Sequence, residues 1–283
     1  MKLLRIVPLI FVIAPFFLAG AKAQLVHASD NPVVYGHHHI NVSNLDEQKR
    51  FWVDTLGGTA VPFGDYTVIK FENVLVFLRE QKPTGGTKGT TVNHIGFTVP
   101  DLRAVLDNFR AAGYRVATTE EVPSSYEVKD GIAYNVVQEA YLAFVMAPDD
   151  VKIEFIDAPA QKAAVKLHHI HFATQNVAAM KDWYVKTFDA IDGMRGNFQA
   201  ADLPGVNLTF SSSDQPLDGT RDRSLDHIGF EVDGLEAFCK HLESRGTTFD
   251  IPYTPIEDLG IAVAFFTDPF GTYIELTEGL DAL

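Results

Sequence analysis

HHIHFATQN from His168, DHIGFEVDG from Asp226 and DPFGTYIEL from Asp268 are the stretches whose reading decides this chain. Each places an ionisable residue in an alternating, β-branched and aromatic run of the kind that forms strands. His169 and His227 open two such runs, and Glu275 sits inside a third between Ile274 and Leu276. Side chains two apart on a strand share a face. His169 and His171 therefore point one way and Ile170 and Phe172 the other, while Tyr273, Glu275 and Thr277 lie together. A carboxylate held between apolar neighbours is costly unless it is paired or bound to a metal.

The same sentence is written earlier in the chain. GHHHINVSN from Gly36, VNHIGFTVP from Val92 and DDVKIEFID from Asp149 supply His37, His94 and Glu154. The step from His37 to His169 is 132 residues, and that from His94 to His227 is 133. Such regularity marks an internal duplication. Two imidazoles and a carboxylate form a facial set that leaves coordination positions open on a divalent ion. The metal-ligand candidates are thus His169, His227 and Glu275 in the second half, and His37, His94 and Glu154 in the first. Fe(II), Mn(II), Zn(II), Ni(II) and Co(II) all suit such donors.

Each copy reads strand, helix, then short strands. Asn44 is placed to cap a helix that carries Phe51, Trp52 and Leu56 and ends at Gly57-Gly58. Asn176 precedes a second helix with Val177, Met180, Tyr184 and Phe188 at core-forming spacing. PDLRAVLDNFRAAG and DGLEAFCKHLESRG give two more, each with a glycine stop. The lone Cys239 falls with Leu235, Phe238 and Leu242 at helical spacing and reads as a small buried hydrophobe. The stretch EEVPSSYEVKDGIAYN makes the second module longer than the fourth and is a lid or edge-loop candidate.

The leading His, the helix ending in an aromatic pair and the closing DPFGTYIEL resemble the vicinal oxygen chelate superfamily. That superfamily includes glyoxalase I, bleomycin-binding proteins and extradiol dioxygenases. The resemblance covers about residues 33–280. It implies an α+β fold of four βαβββ modules, paired into two cup-shaped mixed-sheet domains with the metal ligands inside. The expected domains are 33–158 and 167–280, joined by the Ala-rich stretch 157–166; pairing of module one with module four is the alternative.

The resemblance also implies the chemistry: a divalent metal grips two adjacent oxygens of a small-molecule substrate. Glu275 and His171 are the catalytic candidates for moving a proton, and His39 is placed like His171. Lyase, isomerase and oxygenase reactions all remain open, as does a binding protein of the bleomycin-resistance type without turnover. Extradiol cleavage is disfavoured, because Phe265 stands where that group's Tyr would be and no His follows His241. NVLVFL and GVNLTF lack the further carboxylate that glyoxalase I would supply.

Residues 1–23 read as a secretory leader: Lys2 and Arg5, an apolar run from Ile6 to Leu18, and a small-x-small site at Ala21-Lys22-Ala23. The expectation is a periplasmic or secreted protein that is not held in a membrane after cleavage. A net charge of −14 without a basic patch argues against a nucleic-acid partner.

Overall fold

Eighteen strands and five helices follow one another as four modules in the computed structural model, which describes Leu25 and residues 31–283. The leader expected at residues 1–23 lies outside the described residues. Among those that are described, no helix is long and apolar enough to cross a membrane.

Module one comprises β1 (Val33–Val42), α1 (Leu45–Lys49), β2 (Thr59–Phe63), β3 (Tyr66–Phe71) and β4 (Val74–Glu80). Asn44 caps α1 by accepting the Glu47 N–H at 3.1 Å, and the helix widens into a π-type turn over Arg50–Thr55. Module two comprises β5 (Val92–Val99), α2 (Leu102–Ala111), β6 (Arg115–Val116), α3 (Thr118–Glu121), β7 (Val128–Lys129), β8 (Ile132–Asn135), β9 (Ala140–Ala147) and β10 (Val151–Asp157). Its extra length is therefore an edge: β7 and β8 extend the sheet beyond β9.

Module three comprises β11 (Lys166–Thr174), α4 (Val177–Phe188), β12 (Ile191–Arg195), β13 (Phe198–Leu203) and β14 (Val206–Ser212). Asn176 caps α4 through the Ala179 N–H. Module four comprises β15 (Leu225–Val232), α5 (Leu235–Ser244), β16 (Ile251–Ile256), β17 (Ile261–Thr267) and β18 (Tyr273–Glu278). Gly113 and Gly246, at φ +86 and +95, terminate α2 and α5 in the left-handed conformation that glycine adopts without penalty. Cys239 is buried on α5, and burial pushes its thiol up to about 11.

The modules do not pair within each half. One mixed sheet runs β16-β17-β18-β15-β1-β4-β3-β2 and joins modules four and one. The other runs β12-β13-β14-β11-β5-β10-β9-β8-β7 and joins modules three and two. We call these the outer and inner cups. The expected cups within 33–158 and 167–280 are thus corrected: each cup takes one module from each half. The stretch 158–165 is not a domain linker, since it carries the chain from β10 to β11 across β5 in one sheet.

Packing and pairing divide the work between them. Within a half, the modules meet back to back: Trp52 and Phe71 contact Phe97, and Phe188 stacks on Phe230 at 4.4 Å. Between halves they meet edge to edge in the sheets. Tyr35 against Phe230 joins the two half-cores into one. The segments crossing between the cups bond to each other, through Thr91 N–H to Asp218 O at 3.1 Å and Ser224 N–H to Gly85 O at 2.8 Å. This cross-tie joins the two places where the chain passes between the cups. The two crossings, 11 and 12 residues long, carry the chain from one sheet to the other after β4 and again after β14.

Candidate metal centres

The ligand-type residues come together across the seam between halves. In the outer cup β1 runs antiparallel to β15, with His37 opposite Gly229 and His39 opposite His227. β18 runs parallel to β15, with Glu275 beside Gly229. The inner cup repeats the pattern: His169 faces Gly96, His171 faces His94, and Glu154 lies beside Gly96. Each centre is therefore a row of His, Gly and carboxylate across three strands, with a second His two residues before the Gly.

The observed sets are His37, His227 and Glu275 in one cup, and His94, His169 and Glu154 in the other. All six expected ligands face a cup, but their partners are exchanged relative to the expected sets. His169 does not meet His227 or Glu275, and His37 does not meet His94 or Glu154. The paired catalytic candidates are also separated: Glu275 lies in the outer cup and His171 in the inner one. The repeat makes modules one and three, and modules two and four, nearly equivalent, so strand pattern alone does not choose between the pairings.

Gly96 and Gly229 have a defined task. A Cβ at Gly229 would fall within the His37 ring, and one at Gly96 within the His169 ring. Only a residue without a side chain lets the opposing imidazole lie across the strand toward the carboxylate. The HIGF repeated at 94–97 and 227–230 carried this signal.

The donor geometry fits a divalent ion. Three donors at about 2.1 Å and right angles from one ion stand roughly 3 Å apart. In the inner cup Glu154 Oε2 lies 3.0 Å from both His94 Nε2 and His169 Nε2, and these nitrogens are 3.2 Å apart. In the outer cup Glu275 Oε2 lies 2.8 Å from His37 Nε2 and 2.9 Å from His227 Nε2. His171 also falls within reach of His94 and His169.

Electrostatics separate the two centres. Burial alone would raise the Glu154 carboxyl, but hydrogen bonds from His169 and His94 hold it well below its ordinary range. Glu275 is likewise depressed against burial by His37 and His227. Burial dominates at His94, lowering it to about 4, and at His169, which lies well below the usual imidazole value. At His227 burial is outweighed by hydrogen bonds to Asp226 and Glu275, which raise it to about 9. Asp226 accepts from His227 Nδ1 at 2.7 Å and is itself fixed by Asn41 and the Asp222 N–H. A carboxylate behind a ligand His orients the ring and makes it a stronger donor. In the inner cup the same position is Asn93, whose amide oxygen lies 2.9 Å from His94 Nδ1. Asp226 and Asn93 directly precede HIGF and were legible as a repeated polar residue, although sequence reasoning gave them no role.

The other His, Tyr and Phe side chains around the cups are placed as follows. His39 lies 4.4 Å, ring to ring, from His227 and stacks on Phe77; its buried Nε2 has no hydrogen-bond partner among the described residues. His171 stacks on His94 at 4.5 Å, with its Nδ1 similarly unpartnered. His38 turns away from the outer cup and is buried against Tyr35 and Phe97, whereas His168 sits at the rim of the inner one. Tyr273 lines the outer cup under Arg221, Tyr141 is exposed beside Tyr134, and Tyr253 packs at the core margin. Phe265 lines the outer cup 5.3 Å from His227, so no phenol stands there. The cavity above the outer centre holds about 420 Å³, with walls that include Phe63, Tyr66, Phe77, Ile256 and Phe265.

Family models described as glyoxalase/bleomycin resistance protein/dioxygenase superfamily match residues 93–187 and 166–276. The chain belongs to this superfamily, as a two-domain, four-module member. Glyoxalase I from Zea mays shares its fold with a TM-score of 0.67 at 14% identity, over 89% of this chain and 95% of that one. A single-residue variant of the maize enzyme gives 0.68 at 14%, over 89% and 96%. A candidate dioxygenase from Bacillus subtilis gives 0.61 at 13%, over 86% and 84%. No curated protein matches in sequence.

Proposed function

We propose that the protein is a divalent-metal enzyme of lyase, isomerase or oxygenase type, acting in the outer cup on a small molecule with vicinal oxygens. The observation that carries this is the convergence of His37, His227 and Glu275 in the lining of a partly open, largely apolar cavity of about 420 Å³. A bound divalent ion supplies Lewis-acid stabilisation of charge developing on substrate oxygen. The chain's own groups do the rest. Phe63, Phe77 and Phe265 exclude water and hold the apolar body of the substrate. Asp226 keeps His227 oriented. His39, a buried imidazole with a free nitrogen in the same cavity, is placed to take a proton and return it.

Metal analysis after reconstitution with Fe(II), Mn(II), Zn(II), Ni(II) or Co(II) tests the reading. The protein should hold the ion stoichiometrically, and His227→Ala should remove it from the outer cup. If none of the five ions is retained, the apolar walls favour a binding protein of the bleomycin-resistance type instead. We further infer export, on the pattern of residues 1–23 alone.

A further inference from the structure

The two cups repeat the same metal-ligand pattern but not the same walls. The 132-residue offset places Arg195 where the outer cup has Phe63, and Thr209 where it has Phe77. Both replacements reach into the inner cup. Arg195 ends β12 and extends its guanidinium to Thr209, Nη1 donating to Oγ1 at 3.4 Å. Thr209 is opposite His171 on the neighbouring strand. Arg195 Nη2 is buried and has no partner among the described residues, and neither has His171 Nδ1 on the same floor. His171 is only 8% exposed. Two unpartnered polar groups that share a cup cost stability until a ligand satisfies them.

Charge points to the ligand. The outer centre has two carboxylates on its ligand His227, Glu275 and Asp226, which together balance a divalent ion. The inner centre has Glu154, a neutral Asn93 in place of Asp226, and the cation of Arg195. Lys152 adds no net charge, because Glu121 pairs with it at 2.9 Å. A surface hollow of about 390 Å³ lined by Ile156, His168, Arg195 and Asn207 adjoins this centre at His168, whose Nδ1 lies 3.0 Å from His169 Nδ1. The carboxylate of Asp202 also borders it, but is exposed and engaged by Asn207 Nδ2 at 2.7 Å.

We propose that the inner cup is a second site with its own specificity, for a small organic acid of the 2-oxo or 2-hydroxy carboxylate class. Arg195 receives the carboxylate, and the vicinal oxygens face His94, His169 and Glu154. A planar guanidinium binds a carboxylate through two parallel hydrogen bonds, which a lysine cannot reproduce. The outer cup has phenylalanines at both equivalent positions, and the arginine in its lining, Arg79, is exposed near the end of β4, so this cup takes an apolar body. This rests on the reading that the His-His-Glu sets hold a divalent metal.

Oxalate is a suitable probe, since it joins two vicinal oxygens to negative charge. Full-length protein carrying His227→Ala, so that only the inner centre is intact, is loaded with zinc and titrated with oxalate by calorimetry. It should hold one zinc and bind one oxalate. Adding Arg195→Gln should leave zinc content unchanged and weaken oxalate at least tenfold, while Arg195→Lys should recover only part of the loss. If Arg195→Gln keeps its zinc and binds oxalate within twofold of the parent, the proposal is overturned. If the His227→Ala protein holds no zinc, the metal reading of the inner cup fails and takes this inference with it.

Discussion

Adding one methyl group at Gly96 should empty one centre without unfolding the protein. A Cβ there would meet three atoms of the His169 ring below 3.0 Å, the farthest of them, Nε2, at 2.7 Å. Carbon contacts settle near 3.5 Å, so the ring must retreat by roughly 0.8 Å at that atom and by more at the others. Metal sites tolerate about 0.2 Å of error in ligand distance. The imidazole therefore leaves the ligand set, and metal affinity in that cup should fall by more than the roughly 10–100-fold typical of losing a supporting group. The fold should bear the change. Overpacking costs about 1–3 kcal/mol, and a domain of this size loses about 2–4 °C in melting temperature per kcal/mol. Calorimetric zinc titration is the assay, with thermal melting of the metal-free protein beside it. Parent protein should bind two zinc ions, Gly96→Ala and Gly229→Ala one each, and the double variant none. Two sites of parental affinity in Gly96→Ala would refute the reasoning, because the ring would then have accommodated the methyl while still ligating.

The pairing of modules is open to the same assay: His94→Ala with His169→Ala should cost one metal ion, whereas His169→Ala with His227→Ala should cost both. Pairing within halves would give one ion lost in the second case. A fragment from Lys166 onward should bind no metal as a monomer, since its His169 lies in one sheet and His227 and Glu275 in the other; adding the complementary fragment 31–160 should restore binding. Asp268 accepts from the Phe270 and Thr272 N–H groups and from the Tyr184 hydroxyl, so Asp268→Ala should destabilise by about 2–4 kcal/mol in urea unfolding; a loss below about 0.5 kcal/mol would show that the turn holds itself. Protein from its native host should begin at Gln24 by intact mass, and a full-length product would count against export.

Much of this was legible in the sequence for identifiable reasons. Alternation placed His169 and His171 on one face, and Asn44 and Asn176 announced their helices because a side-chain oxygen there satisfies a free N–H. All six candidate ligands could be singled out because a His or Glu among strand hydrophobes has few alternatives to a partner. Their grouping was not legible. β5 and β15 carry nearly the same sentence, so strand pattern alone does not choose which of them β1 joins. Gly96 and Gly229 were hidden because the atom they make room for belongs to a strand remote in sequence. Arg195 was hidden for a different reason: it lies at the end of an amphipathic hairpin, GMRGNF, that reads as surface.

The interleaved pairing also sets an order of assembly. Residues of the inner centre span only His94 to His169, and its last strand β14 ends at Ser212. The outer centre must bring His37 to Glu275, 238 residues apart. During synthesis, the inner cup can close while the final module is still missing. The first strand must meanwhile wait with an unpaired edge. Contacts of such long sequence separation form late, since the chain must be closed over a large loop before any energy is returned. The inner set of candidate donors is thus complete first, and the outer one is the last part of the molecule to come into being.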